Sequence, residues 1–241
     1  MPKLLGAARS AAGDGGGEAL SLSEQIALKL AESIVQDEYE PGDRIHEVAV
    51  SERFQVSRGP VREALRILEK KGLVSIQPRR GAIVTKLTIE EVEDVFEIRA
   101  TLLGLAGRRA ALKGDKRLIA ELREQLGELQ ALLELDDSEA VAAAYLAEVQ
   151  DLNLKLCAGT GSERLAEIIF SLLYQTMRYS RLGLSTTERR AQSIRNWTRL
   201  IERIEAGDAD GAEKATQTLV NRSKDMAVKL LRKEAELGAR G

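Results

Sequence analysis

The sequence predicts a mainly α protein, a three-helix winged helix-turn-helix followed by an all-α bundle. Three observations predict it. Aromatics are only 3% of the chain while Ala, Leu, Glu, Arg and Lys abound, which is a helix-rich composition. Two short alternating runs, "LVSIQ" (73–77) and "AIVTK" (82–86), carry the strand signal. From residue 88 onward, apolar residues recur with helical spacing and no strand pattern interrupts them.

The elements follow in order. Ile26, Leu30 and Ile34 recur every four residues and predict a first helix from Leu22, stopped by "EPGD" (40–43). A short second helix is expected from Glu47 to Phe54. "QVS" turns the chain, and Ser57 is placed as the N-cap of a third helix. Pro60 then takes the third helical position, where a missing N–H removes only an orphan donor. Val61, Ala64, Leu65 and Leu68 form that helix's apolar stripe and Gly72 ends it. The two alternating runs, joined by "PRRG", predict a two-stranded wing. "TIEE" (88–91) reads as a capping box opening a long helix to about Lys113. Further helices are expected near 116–135, 138–158, 163–183, 186–206 and 209–236, separated by "KGD", "LDDS", "AGTGS", "LGLS" and "AGDAD". The expected domains are a tail (1–20), the winged unit (21–86) and the bundle (87–238).

At 241 residues the chain can bury one large or two modest cores. One cysteine, Cys157, leaves no internal disulfide framework and fits a reducing compartment. No apolar run approaches the roughly 18 residues of a membrane span. "MPKLLGAARSAAGDGGGEAL" lacks an apolar signal core and reads as a flexible tail. A cytoplasmic protein is expected.

The formal net charge is -2, yet one segment is strongly basic. Between Ser57 and Lys86 stand Arg58, Arg62, Arg66, Lys70, Lys71, Arg79, Arg80 and Lys86, against only Glu63 and Glu69. Arg58 and Arg62 are four apart, so they share a face at the leading end of the third helix. In a helix-turn-helix that end meets base edges in the major groove, where guanidinium forks pair with guanine O6 and N7. Gly59 allows close backbone approach, Lys70 and Lys71 suit phosphate or water, and the wing arginines suit a groove or the backbone. A basic run by itself is ordinarily a solvated face, with Arg66 pairing to a neighbour such as Glu63. The N-capped helix, the short helix before it and the basic hairpin after it together favour DNA.

"PGDRIHEVAVSERFQVSRGPVREALRILEKKGLVSIQPRRGAIV" resembles the N-terminal domain of the GntR family of bacterial transcription regulators. "IEEVEDVFEIRATL", "AGTGSERL" and "IEAGDADGA" resemble the FCD ligand-binding domain that follows it in the FadR subfamily. The resemblance implies a homodimer that represses or activates genes in response to a metabolite. It implies Ser57, Arg58, Gly59, Pro60, Arg62, Arg80 and Gly81 as the DNA-facing set, to which the wing position adds Arg79. Gly59 departs from the Thr usual there, and Val48 stands where some members carry an Arg that contacts DNA.

The resemblance also implies a divalent metal held in the bundle by one Asp and three His, since carboxylate and imidazole offer lone pairs at about 2.0–2.2 Å. Here those positions fall on Val149, Asn153, Trp197 and a stretch near Leu219 to Asn221, while the one histidine, His46, lies in the winged unit. No metal and no other cofactor is expected. Arg99 takes the family's "R-x-x-L-E" position, with Leu103 in place of the Glu. An effector pocket would be lined by Arg99, Leu103, Asn153, Arg178 and Trp197, and the expected ligand is a small carboxylate with an apolar body. The plainer readings are an internal ion pair for Arg99, core packing for Trp197 and a small buried residue for Cys157. Catalysis would need a paired base and nucleophile or a metal, and none is evident; Asp136 and Asp137 read as a solvated loop pair. The remaining alternative is a bundle that only dimerises.

Overall fold

The computed structural model describes residues 20–135 and 137–238, so the expected tail lies outside the described residues apart from Leu20. The chain forms two compact units that divide between Thr88 and Ile89.

In the first unit, α1 (Leu22–Val35) opens on a capping box: the Ser21 hydroxyl accepts from the Glu24 amide, and the Glu24 carboxylate accepts from the Ser21 amide at 2.8 Å. Ile26, Leu30 and Ile34 are buried as their spacing requires. α2 (Glu47–Phe54) ends at Gln55, which takes a left-handed conformation with φ 53°. α3 (Arg58–Lys70) has Ser57 at its N-cap and Pro60 in its first turn, and it buries Val61, Ala64, Leu65 and Leu68. Gly72, at φ 73°, ends the helix, donating its amide to the Glu69 carbonyl.

The wing has three strands where two were expected. β2 (Val74–Gln77) and β3 (Gly81–Val84) pair antiparallel, with Val74 opposite Val84 and Gln77 opposite Gly81. β1 (Arg44–Ile45) adds to the other edge of β3, giving the order β1-β3-β2. Two residues are too few for alternation to show in sequence. Ile45, nearly fully buried, pairs opposite Ala82 and anchors the strand in the core. Arg79 at the turn has φ 64° and Gly81 has φ 80°.

The second unit is a bundle of α4 (Ile89–Lys113), α5 (Lys116–Leu133), α6 (Glu139–Gly159), α7 (Glu163–Gly183), α8 (Thr187–Glu205) and α9 (Ala209–Gly238). α4 is central and touches α6, α7, α8 and α9. Its closest approach is to α9, where a Cβ on Gly107 would lie 2.3 Å from the Thr216 hydroxyl and 3.1 Å from the Ala212 carbonyl. α5 to α8 begin at Asp115, Ser138, Ser162 and Thr186, each accepting a first-turn amide through its side chain. Asp136 lies outside the described residues. Asp137 is solvated as expected, its side chain 62% exposed, and its carboxylate also accepts from the Nη2 of Arg190, a side chain only 2% exposed.

Candidate nucleic-acid interface and buried arginine site

α3 presents its leading end to solvent. Ser57, Arg58, Gly59 and Arg62 are exposed and Pro60 is half-buried. The Ser57 hydroxyl makes no capping bond. A Cβ on Gly59 would meet nothing within 4 Å, so packing within the chain does not demand glycine there. The three arginines of this helix differ in their restraint. Arg58 has no ion pair among the described residues. Arg66 pairs with Glu63 on its own helix at 3.5 Å, as the plainer reading of that residue held. Arg62 reaches across to α2 and donates its Nε–H to Glu47 Oε2 at 2.9 Å. Glu47 closes the "PGDRIHE" stretch that carries part of the family resemblance, yet nothing in the sequence ties it to Arg62. On the wing, Arg79 and Arg80 are exposed at the tip and Gly81 is half-buried. Arg44 of β1 sits beside Gly81, with its Nε 3.5 Å from where a Cβ would be. Its exposed position on an unexpected strand adds a wing cation that the hairpin pattern alone could not reveal.

In the bundle, Arg99 is 3% exposed. Its Nη1 donates to the Thr176 hydroxyl at 2.6 Å and to the Ser180 hydroxyl at 3.1 Å, and its guanidinium carbon lies 4.9 Å from the Phe96 ring centre. Its Nε has no partner among the described residues, and no carboxylate pairs with it there. The ion pair expected as its plainer reading is therefore not present among them. Burial pushes its pKa down to about 10, with a smaller opposing pull from the neighbouring Cys157. Burial pushes the Cys157 thiol up to about 12 despite that arginine. Such a thiol stays protonated and inert near neutral pH.

The bundle leaves other buried polar atoms unmatched. Gln150 Oε1 and Trp197 Nε1 are buried with no partner among the described residues. Gln150, Asn153 and Cys157 share one face of α6, being three and four residues apart. Leu103 and Trp197 are fully buried, and Asn153 is 1% exposed with its Nδ2 donating to the Val149 carbonyl at 2.8 Å. Arg178 is half-buried and two positions from both Thr176 and Ser180. A two-residue step turns a helix by about 200°, so Arg178 leaves α7 on the far side from the hydroxyls that meet Arg99. A surface cleft of about 420 Å³, lined by Asn196, Arg199, Asp208 and Lys214 among others, includes none of these five.

The residues at the expected metal positions do not fit a divalent ion. Val149 offers no lone pair, the indole N–H of Trp197 only donates, and the Asn153 amide is turned to its own helix. Among the described residues no group of three or more His, Cys, Asp and Glu side chains converges.

An exposed, basic-led recognition helix with a wing, followed by a helical bundle, defines a DNA-binding transcriptional regulator. Residues 22–84 match the gntR family of bacterial regulatory proteins and residues 94–222 match the FCD domain, so the chain belongs to the GntR family and carries an FCD domain. It is 27% identical over 190 residues to the HTH-type transcriptional regulator YdhC of Bacillus subtilis, covering 78% of this chain and 83% of that protein. It is 35% identical over 119 residues to the HTH-type transcriptional repressor RspR of Escherichia coli, covering 48% of this chain and 52% of RspR. The chain thus spans about half the length of that repressor. The solved structure of E. coli McbR/YncC shares the fold, with a TM-score of 0.75 and 20% identity over 88% of this chain and 100% of that one. The family and these relatives are regulators, not enzymes. No helix among the described residues is long and apolar enough to cross a membrane.

Proposed function

We propose that this regulator binds a pseudo-palindromic operator in the cytoplasm as a homodimer, represses from it, and responds to a small carboxylate with an apolar body. The observation that carries the sensing half is Arg99, a buried guanidinium that hydroxyls solvate but no described carboxylate neutralises. A buried charge without a counter-ion is costly, and a ligand carboxylate accepting from its Nε and a terminal nitrogen would offset that cost. Leu103 and Trp197 supply apolar lining, and the unmatched Gln150 Oε1 and Trp197 Nε1 add one acceptor and one donor.

Ser57, Arg58, Gly59, Pro60 and Arg62 are the proposed groove-facing set, with Arg79, Arg80 and Gly81 on the wing. Dimerisation draws support from an outward stripe on α4. Ile98 is 52% exposed and Leu112 68% exposed, with half-buried Leu102 and Leu105 between them at spacings of four, three and seven, the remaining seam position being the exposed Arg109. That is the spacing of a helix seam that packs on another helix. Repression draws support from the similarity to the transcriptional repressor RspR.

The test is a thermal-shift and gel-shift series with small mono-acids. A ligand should raise the melting temperature by an amount that grows with the logarithm of its concentration over Kd and shift DNA affinity, and Arg99→Ala should abolish both responses while ligand-free DNA binding persists. Binding only by di- or tricarboxylates, or a normal response from Arg99→Ala, contradicts the pocket. Should no acid bind, the bundle serves dimerisation alone.

A further inference from the structure

We infer that Glu47 is a positioning residue for sequence reading, holding the Arg62 guanidinium so that its two terminal nitrogens face the groove. The inference rests on the reading that α3 enters the major groove. A guanidinium has five N–H donors, one on Nε and two on each terminal nitrogen. Glu47 Oε2 takes the Nε–H at 2.9 Å. With Nε occupied, a side-on fork through Nε is unavailable and the end-on fork through Nη1 and Nη2 remains. That end-on fork matches guanine O6 and N7.

The pair does little for stability, because its side chains are 60% and 33% exposed and such ion pairs contribute weakly. Its effect is on orientation. A free arginine has several rotatable bonds, and ordering them on binding has an entropic cost that a pre-set side chain avoids. Glu47 is itself well placed to act as an anchor. It is the first residue of α2, where the positive end of the helix favours a carboxylate. Arg58 and Arg66 have no such anchor on another helix. The plainer reading makes Glu47 only a favourable helix-end charge, and that reading gives it no influence on which base is chosen.

Selection from a random duplex library separates the two, with the full chain as wild type, Glu47→Ala, Glu47→Gln, Arg62→Ala and the Glu47→Ala/Arg62→Ala double variant. Arg62→Ala identifies the base pair that Arg62 reads. Glu47→Ala should cut the guanine preference at that same position about tenfold, within the range of one bidentate contact, and leave other positions unchanged. Glu47→Gln, whose amide oxygen still accepts the Nε–H, should retain most of it. In the Arg62→Ala background Glu47→Ala should do nothing further. An unchanged preference in Glu47→Ala, or an equal loss of affinity for every duplex, overturns the inference. So does a sharpened preference, which would mean that Glu47 competes with DNA for Arg62. If Arg62→Ala itself loses no preference, the docking of α3 fails and the inference falls with it.

Discussion

Arg99 Nη1 donates to the Thr176 hydroxyl at 2.6 Å, and that hydroxyl in turn donates to the Leu172 carbonyl at 2.7 Å. The chain of bonds solvates the guanidinium but leaves its charge without a counter-ion among the described residues. Arg99→Met should therefore leave the ligand-free protein as stable as wild type, or more stable by roughly 1–4 kcal/mol. Urea melts of both proteins check this. A loss of several kcal/mol would mean that a counter-ion holds Arg99 after all.

The same burial has a pH signature. Burial pushes the folded-state pKa of Arg99 down to about 10, below that of a solvated guanidinium, so above about pH 10 the folded chain releases a proton that the unfolded chain still binds. Stability then rises with pH across this window through Arg99. Wild type should gain on Arg99→Met as pH rises from about 10 toward 12, and should lose that gain as pH falls back. Paired melts over this range should show the converging trend, and parallel curves would contradict it.

Arg58→Ala should cost roughly 1–3 kcal/mol of specific binding and relax one position in each half-site. Lys70→Ala, at the trailing end of α3, should weaken every duplex about equally. Gel shifts on a matched set of sites distinguish the two patterns.

The purified protein should hold no stoichiometric Zn, Ni or Mn in its bundle, because Val149 and Trp197 stand at ligand positions. Elemental analysis after dialysis, with melting curves in chelator, measures this. One tightly held ion per chain would refute it.

Two glycines should respond in opposite senses. Gly107→Ala puts a methyl 2.3 Å from the Thr216 hydroxyl and should destabilise by about 1–3 kcal/mol. Gly59→Ala meets nothing within 4 Å and should be neutral or stabilising by up to ~1 kcal/mol. If close backbone approach matters on α3, Gly59→Ala will nonetheless bind DNA more weakly.

Helices were legible in the sequence because each combines a periodic apolar stripe with a local start or stop signal, as at Ser57 and Gly72. β1 was not, because Arg44 and Ile45 become a strand only by pairing with Ala82 and Ile83, far along the chain. Partners distant in sequence escaped for the same reason. Arg62 and Arg99 stood out as cations in telling places, yet nothing local ties Arg62 to Glu47, Arg99 to Thr176 and Ser180, or Asp137 to Arg190. Thr176 and Ser180 do sit four apart on one helix face, a polar pair that pattern reading passed over. Arg178 was grouped with Arg99 by chain position, whereas helical phase sets it on the other side of α7.

The most direct test of the account is selection of wild type and Arg62→Ala from a random duplex library, read by sequencing. Wild type should recover a motif with two-fold symmetry and guanine-containing half-sites, since two recognition helices related by a dyad read the same bases twice. Arg62→Ala should recover the same motif with one guanine preference lost from each half-site. A wild-type motif without symmetry, or an Arg62→Ala motif identical to it, would contradict the account.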